Sequence, residues 1–320
     1  MNRKYLPLIA TILVFLVLFV TGGAMYRNFL STLVLGNILA DNSFIIIAAI
    51  GATFVILSGG IDLSIGSMIG FVGVCMAVLD SMGWHPLATA AVMICFGVLF
   101  GALQGYVIDA WDIQPFIVTL AGLFLLRGAC FMVTLDSVPI RHEFVDAYAS
   151  ASIPLPGRGV LRSSALVMLA ALALAIFLAH FTRFGTNVYA VGGDQESARL
   201  MGVNIRRTKV GIYALGGFYS ALAGVVYALY TSSGYPLAGS TLELSAIAAV
   251  VLGGTLLTGG VGMVAGTLFG GMILGLISTL IIFNGSLNSA WIMISSGILL
   301  FAFIVLHRFL VSSFDLRGSS

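Results

Sequence analysis

The sequence predicts an all-α, polytopic membrane protein of about ten transmembrane helices, with a parallel internal repeat and a short cytoplasmic helix. Hydrophobic residues make up 60% of the chain and charged residues only 8%, and the mean hydropathy is +1.12. About a quarter of the residues in a soluble domain are charged, so this composition excludes an ordinary soluble protein. We expect residues 1–320 to form a single transmembrane domain surrounded by membrane lipid.

The apolar runs are long enough to predict individual spans, since a transmembrane helix needs about 20 mostly apolar residues. Charged residues and glycines separate the runs. The ten predicted spans cover residues 6–24, 36–57, 65–80, 87–108, 115–134, 163–181, 210–231, 243–258, 263–283 and 289–307. The third and eighth spans are short and lie beside glycines, a pattern typical of a broken or re-entrant helix.

The basic residues near the span ends predict the orientation, because cytoplasmic loops carry an excess of Lys and Arg. With a cytoplasmic N-terminus, the cytoplasmic side carries nine basic residues: Arg3, Lys4, Arg183, Arg199, Arg206, Arg207, Lys209, Arg308 and Arg317. The external side carries four: Arg27, Arg141, Arg158 and Arg162. Both termini and the 182–209 loop are therefore expected in the cytoplasm, and the 135–162 loop outside. No basic face remains for nucleic acid.

Two glycine-rich segments form the predicted repeat. Residues 48–70 align with residues 248–270, and the matched pairs are Leu57 with Leu257, Gly59 with Gly259, Gly60 with Gly260, Gly66 with Gly266 and Gly70 with Gly270. Each span of the second copy comes six spans after its counterpart in the first copy, an even number, so both copies run the same way through the membrane. In transporters with parallel repeats the substrate path lies between the related halves. Chance similarity between glycine-rich apolar helices is the alternative.

The 182–209 loop is the longest charged interruption of the apolar sequence. Gly192 and Gly193 lead into Asp194, a residue type that caps helix N-termini, and Glu196 adds negative charge to the first turn. Gly202 is typical of a helix stop. The enclosed helix is far shorter than the ~12–15 residues at which an isolated helix becomes marginally stable in water. It must therefore pack against another element.

Polar residues within the apolar runs have both structural and functional interpretations. Asp62 or Ser64 in the first repeat copy is expected to cap the following helix, or, with Ser58, to lie at the edge of a polar pathway. Arg127, inside the fifth span, should not face lipid. We expect it to form a structural ion pair with Asp41 or Glu243.

The chain lacks the motifs of an ATP-hydrolysing or metal-dependent enzyme. The sequence contains no GxxxxGK[ST] phosphate loop, no HExxH and no Cys or His cluster. This excludes a pump with its own ATP site and predicts no catalytic and no metal-binding residues. A solute permease, a secondary carrier or facilitator, and a membrane scaffold or receptor remain as alternatives.

Three segments resemble the bacterial ABC importer permeases of the ribose, xylose and galactose class. They are TFVILSGGIDLSIGS at 53–67, TRFGTNVYAVGGDQESARLMGV at 182–203 and ELSAIAAVVLGGTLLTGGVG at 243–262. The resemblance covers nearly the whole chain in order. The opening LPL, the phrase SGYPLAGSTLEL at 233–244 and the short C-terminus are similar to the permeases of galactofuranose importers, which pair two different permease chains.

The resemblance implies a transport subunit of the bacterial inner membrane without enzymatic activity or cofactors of its own. It implies a second permease subunit as partner, a different chain being favoured. It also implies a periplasmic sugar-binding protein that delivers a monosaccharide, and a cytoplasmic tandem ABC ATPase that binds ATP and Mg. The 184–203 region corresponds to the loop that docks on the ATPase, and the positions that fit the family pattern are Gly185, Tyr189, Gly192, Gly193, Ala198, Arg199 and Gly202. Asp194 and Glu196 complete the expected set of ATPase-coupling residues. At Asp194 many relatives have asparagine, which keeps a cap but removes a charge.

The same resemblance directs attention to residues suited to a neutral sugar, which needs hydroxyl-compatible groups and aromatic faces along its path. The candidates for the substrate pathway are Asn42, Phe44, Ser58, Asp62, Ser64, Gln114, Phe116 and Thr258. Ser and Thr in membrane helices often bond backbone carbonyls instead, which is the structural alternative.

Overall fold

The computed structural model describes residues 6–315 except 286 and 289, and it is a helical bundle with two short two-stranded sheets. The basic residues Arg3, Lys4 and Arg317, which contributed to the predicted orientation, lie outside the described residues. The helices are α1 (Leu6–Met25), α2 (Thr32–Asp41), α3 (Ser43–Leu57), α4 (Ile65–Ser81), α5 (Pro86–Ala110), α6 (Pro115–Val133), α7 (Glu143–Ser150), α8 (Ser163–Phe181), α9 (Arg183–Gly193), α10 (Gln195–Leu200), α11 (Ile205–Thr231), α12 (Leu242–Leu252), α13 (Val264–Asn284) and α14 (Ala290–Asp315). The strands are β1 (Val138–Pro139), β2 (Ser152–Pro154), β3 (Val160–Arg162) and β4 (Ser233–Gly234).

Six helices of the described chain are long and apolar enough to cross a membrane: α1, α5, α6, α8, α11 and α13. The bent pair α2 and α3 adds a seventh span if it is counted as one. The other predicted spans coincide with shorter apolar helices, α4, α12 and the 290–302 part of α14. A polytopic helical membrane domain is thus confirmed, and the count of ten crossings stays a prediction.

The second predicted span, 36–57, is broken. Helices α2 and α3 meet at Asn42 with a bend of 58°. The Asn42 side-chain amide donates to the carbonyl of Ile38 (2.8 Å) and packs tightly against Gly275 of α13. A polar side chain that bonds the helix backbone at this point accounts for the break, which was expected instead in the third or eighth span.

The eighth predicted span, 243–258, is shorter than expected. Helix α12 ends at Leu252 because Gly253 and Gly254 follow it, and Gly254 has φ +86°, a left-handed conformation that stops the helix. The Leu252 carbonyl accepts a hydrogen bond from the Thr11 hydroxyl of α1 (2.7 Å). Each repeat copy is therefore a helix, a glycine-rich loop and a second helix, but the second loop is longer.

Helix α3 lies at the centre of the bundle. Every residue from Phe44 to Leu57 except Ile45 is buried, because α3 is surrounded by α8, α11, α12 and α13. The two repeat copies meet here, where the hydroxyls of Thr53 in α3 and Thr267 in α13 lie 2.7 Å apart. This polar contact inside an apolar core fixes the register of α3 against α13.

The 135–162 loop is folded, as its prolines and glycine predict. Strands β2 and β3 form an antiparallel hairpin, α7 precedes them, and β1 pairs with β4 from the segment after α11. The loop thereby ties α6 to the 232–241 segment.

Candidate coupling site and its junction with the membrane helices

Residues 182–204, called here the candidate coupling segment, contain one helix that the sequence analysis did not predict. Helix α9 begins after Thr182, whose hydroxyl oxygen accepts from the Gly185 amide (3.2 Å) and donates to the carbonyl of Leu178 (2.6 Å). Gly185 packs directly on the carbonyl of Ala179, where a side chain would collide. The chain thus leaves α8 and re-enters a helix within a single turn.

The predicted short helix is present as α10, and both predicted ends are confirmed. The Asp194 carboxylate accepts from the Ser197 amide (2.6 Å) as N-cap. At the other end Gly202 has φ +85°, its amide donates to Arg199 and the Val203 amide donates to Ala198. This pair of hydrogen bonds is a Schellman motif, and it satisfies carbonyls that the helix leaves open.

The element that supports α10 is a small apolar cluster. Ala198 is fully buried and packs with Val191 of α9 and Ile205 of α11. Glu196, Arg199 and the remaining charged residues of the segment point to solvent. Helix α10, which is too short to be stable alone, therefore packs between α9 and α11. This confirms the prediction that it must pack against another element.

The cap at Asp194 leads to a testable expectation. Hydrogen bonds from the Ser197 hydroxyl and amide lower the pKa of Asp194 below its usual value. A lowered folded-state pKa means that the capping contribution is complete at neutral pH and is lost only as the pH falls through that pKa. We expect Asp194→Ala to loosen α10 and to reduce solute uptake in whole cells several-fold. Asp194→Asn, which can still cap the helix, should keep solute uptake close to that of the wild type. Equal uptake by the alanine variant would show that the cap is dispensable.

The C-terminal end of α9 lies between the loops of the two repeat copies. We call this contact the glycine junction, formed by residues 57–60, 192–193 and 258–262. The Gly260 amide donates to the Leu57 carbonyl (2.8 Å), which joins the two loops directly. A side chain on Gly192 would collide with the Leu57 carbonyl oxygen and lie 2.8 Å from the Gly260 nitrogen. The three segments therefore touch through backbone atoms.

Tyr189 provides a second link between α9 and the second repeat loop. Its hydroxyl donates to the Gly262 carbonyl (3.0 Å). Burial raises the pKa of Tyr189 to about 12, so the phenol is protonated and available as a donor at physiological pH. Displacement of α9 must therefore displace residues 258–262 as well.

The substrate-pathway candidates are not gathered into one cavity. Asn42 lies at the α2–α3 bend, and Phe44 is buried edge-to-face against Tyr227, 4.9 Å between ring centroids. Gln114 and Phe116 are exposed at the start of α6. Ser58 donates to the Val55 carbonyl (2.7 Å), the structural alternative for a membrane serine. The assignment of these residues to a pathway stays a prediction.

Asp62 and Ser64 belong to a buried polar cluster in the first repeat loop. Asp62 accepts from the amide (2.8 Å) and the hydroxyl (2.6 Å) of Ser64, so neither side chain caps the amides that follow in α4. The predicted capping role is corrected, because the two residues satisfy one another. Gln104 of α5 joins them at 3.4 Å, a partner that the sequence analysis missed, and its amide nitrogen is buried without a hydrogen-bond partner.

The predicted ion pair of Arg127 is absent from the described residues. The guanidinium donates instead to the carbonyls of Pro236 and Ala238 (2.8 Å to Ala238). Asp41 accepts from the Tyr230 hydroxyl (3.0 Å), and one carboxylate oxygen of Glu243 is buried without a partner. The prediction was wrong because the 232–241 segment folds back over α4 and brings free carbonyls closer to Arg127 than either carboxylate.

The bundle of long apolar helices, the two glycine loops and the helical segment packed on them define a multi-pass membrane permease. A family model described as "Branched-chain amino acid transport system / permease component" matches residues 34–304. The chain belongs to this family.

Three relatives make the class more specific. The chain is 50% identical over 321 residues to the inner membrane ABC transporter permease protein YjfF of Escherichia coli K12, covering 100% of this chain and 97% of the relative. It is 37% identical to the ribose import permease protein RbsC of the same strain, with 84% of each chain covered. It is 32% identical to the xylose transport system permease protein XylH of that strain, with 86% and 84% covered. The predicted resemblance to ABC sugar permeases is confirmed.

Proposed function

We propose that this chain is the membrane subunit of a binding-protein-dependent ABC importer for a monosaccharide, driven by ATP hydrolysis on a separate subunit. The observation that supports it best is the glycine junction. A segment that only tethered two spans would not need a close backbone contact with both repeat loops. The contact is instead suited to transmitting a displacement of α9 and α10 to the loops between α3 and α4 and between α12 and α13.

The outer surface of α10 fits a protein partner. Leu200 is 88% exposed and Met201 is 72% exposed, side by side at the end of the helix, with Arg199 and Glu196 beside them. Exposed apolar side chains in a polar loop are typical of an interaction surface. In the proposed importer this surface docks on the tandem ABC ATPase, which binds the ATP and Mg.

The proposed cycle follows from this arrangement. ATP binding closes the nucleotide-binding domains and moves α10, and α9 carries the movement to the glycine junction, which changes the side to which the spans open. Sugar arrives from a periplasmic binding protein, the second permease is a different chain, and both termini of this inner membrane subunit lie in the cytoplasm.

The names of the relatives support a sugar as the solute. They include import permeases for ribose, xylose and, at 30% identity in Bifidobacterium longum, fructose. We propose galactofuranose as the specific substrate, on the similarity of segment 233–244. Uptake of a panel of labelled pentoses and furanose hexoses by cells with and without the protein tests this assignment, and transport of a pyranose alone would contradict it.

Arg199→Glu tests the proposed ATPase contact. The variant reverses a charge on the exposed face of α10 without touching the buried Ala198, so we expect normal insertion in the membrane. ATPase recovered with the tagged permease should fall about tenfold, which corresponds to ~1.4 kcal/mol of binding free energy, and uptake should fall with it. The measurement is a pull-down from solubilised membranes followed by quantification of the ATPase subunit.

Arg27→Glu is the matched control, because Arg27 is an exposed residue after α1. This variant should leave the amount of recovered ATPase unchanged.

The alternative function is a secondary carrier or facilitator. That function predicts uptake that continues when ATP is depleted and the ion gradient is kept, and no ATPase in the pull-down from wild-type cells. Either result would overturn the proposed coupling.

A further inference from the structure

An apolar cavity of about 330 Å³ lies at the base of the candidate coupling segment, between α5, α8, α9 and α11. It contains no charged or hydrogen-bonding side chain. The residues that line it are Val98, Leu178, Phe184, Gly211, Ala214, Leu215 and Phe218. Such a lining suits a hydrocarbon chain and does not suit a sugar.

The cavity opens on the outer surface of the bundle. Its α11 residues at 211, 214, 215 and 218 recur at helical spacing on one face and are half-buried, whereas Ile212, Tyr213, Gly216 and Gly217 between them are buried. Phe177 and Phe181 of the adjoining α8 are exposed. The cavity therefore opens beside an exposed aromatic stretch of α8, a surface suited to lipid acyl chains.

Two arginines lie close in the sequence to residues that line the cavity. Arg207 lies one helical turn before Gly211 on the same face of α11, and Arg183 directly precedes Phe184. Both are exposed, and among the described residues neither guanidinium forms a hydrogen bond, an ion pair or a ring contact. By contrast, Arg206 lies over the Tyr106 ring (4.6 Å), and Lys209 pairs with Asp109 (3.8 Å).

We propose that this cavity and the two arginines form a binding site for an anionic phospholipid. One acyl chain occupies the apolar cavity, and Arg183 and Arg207 bind the phosphate of the headgroup. Basic residues between membrane helices on the cytoplasmic side are suited to such headgroups, and charge complementarity favours an anionic over a zwitterionic lipid. The site rests on the proposed cytoplasmic orientation of the 182–209 loop and is independent of which solute is transported.

The bound lipid would contact the candidate coupling segment itself. Phe184 is the second residue of α9, and its ring packs on Gly211, where a side chain would come within 2.9 Å of it. A lipid in the cavity therefore fills the space beside the first turn of α9 and steadies the helix that leads to the glycine junction.

Lipid titration of the purified full-length chain tests the charged half of the site. Native mass spectrometry would compare binding of phosphatidylglycerol and phosphatidylethanolamine, added to the detergent-solubilised protein. We expect wild-type protein to prefer phosphatidylglycerol, and Arg183→Gln and Arg207→Gln each to weaken its binding about five-fold. Arg206→Gln, the neighbour on another face of α11, is the matched control and should leave binding unchanged.

Ala214→Leu tests the apolar half by placing a larger side chain in the cavity. It should weaken binding of both lipids, whereas Ala170→Leu, an exposed position on α8, should not. Equal binding of the two lipids to wild-type protein would overturn the proposal without any variant. The proposal would also be overturned if Arg206→Gln weakened phosphatidylglycerol binding as much as Arg183→Gln and Arg207→Gln do. The weakening would then reflect the total surface charge and not a specific site. Failure of the ATPase pull-down with lipid selectivity intact would refute only the proposed coupling.

Discussion

Gly192→Ala is expected to reduce solute uptake by up to about a hundred-fold, if the displaced junction costs ~3 kcal/mol, the upper end of the usual range for overpacking a close contact. The added carbon would occupy the place of the Leu57 carbonyl oxygen, and the neighbouring Gly260 nitrogen leaves no room to move aside. These neighbours are backbone atoms, so no rotamer change relieves the clash. The loops of the two repeat copies must separate from α9, and the hydrogen bond between Gly260 and Leu57 is strained or broken.

The measurement is uptake of labelled sugar normalised to the amount of protein in the membrane. Gly297→Ala in α14 is the matched control, because among the described residues no neighbouring atom lies within 4 Å of an added carbon there. Its uptake should equal that of the wild type. If Gly192→Ala transported at the wild-type rate, the glycine junction would not be the path by which α9 moves the membrane helices.

Arg127→Met should destabilise the side of the protein that carries the 232–241 segment. The substitution keeps most of the apolar stem but leaves the carbonyls of Pro236 and Ala238 without their donors. Each partly buried carbonyl without a partner costs about 1–3 kcal/mol, so for the two carbonyls we expect a loss of about 2–6 kcal/mol in the free energy of unfolding. Segment 232–241 should become accessible to protease before the rest of the chain unfolds.

Thermal unfolding in detergent and limited proteolysis measure these two effects. Arg141→Met, which removes an exposed guanidinium near the same side of the protein, should change the Tm little. An unchanged Tm in Arg127→Met would mean that water replaces the guanidinium at both carbonyls, and the role assigned to Arg127 would have to be abandoned.

Features set by neighbours along the chain were accessible from the sequence. Asp194 caps α10 and Gly202 ends it because capping and left-handed conformations depend on a few adjacent residues. The long apolar runs likewise predict helices α1, α5, α6, α8 and α13 to within a few residues.

Features set by contacts between distant segments could not be predicted from the sequence. The role of Gly192 depends on the Leu57 carbonyl, which any residue at 57 would supply, so no residue type marks the contact. The same holds for Arg127, whose acceptors are backbone carbonyls of the 232–241 segment. The ion-pair prediction considered only side-chain acceptors and therefore failed. The break at Asn42 also needed tertiary packing, because a single asparagine within an apolar run is compatible with a continuous helix.

The glycine junction has an evolutionary consequence. Because it is made by backbone atoms, it does not depend on the side chains that α10 presents on its exposed face. If α10 docks on the ATPase as proposed, mutations at residues 196, 199, 200 and 201 would change which ATPase the permease accepts without repacking the membrane helices. In that proposal, a few surface residues of α10 would fit the permease to a different ATPase subunit, while the backbone contacts of the glycine junction stay the same.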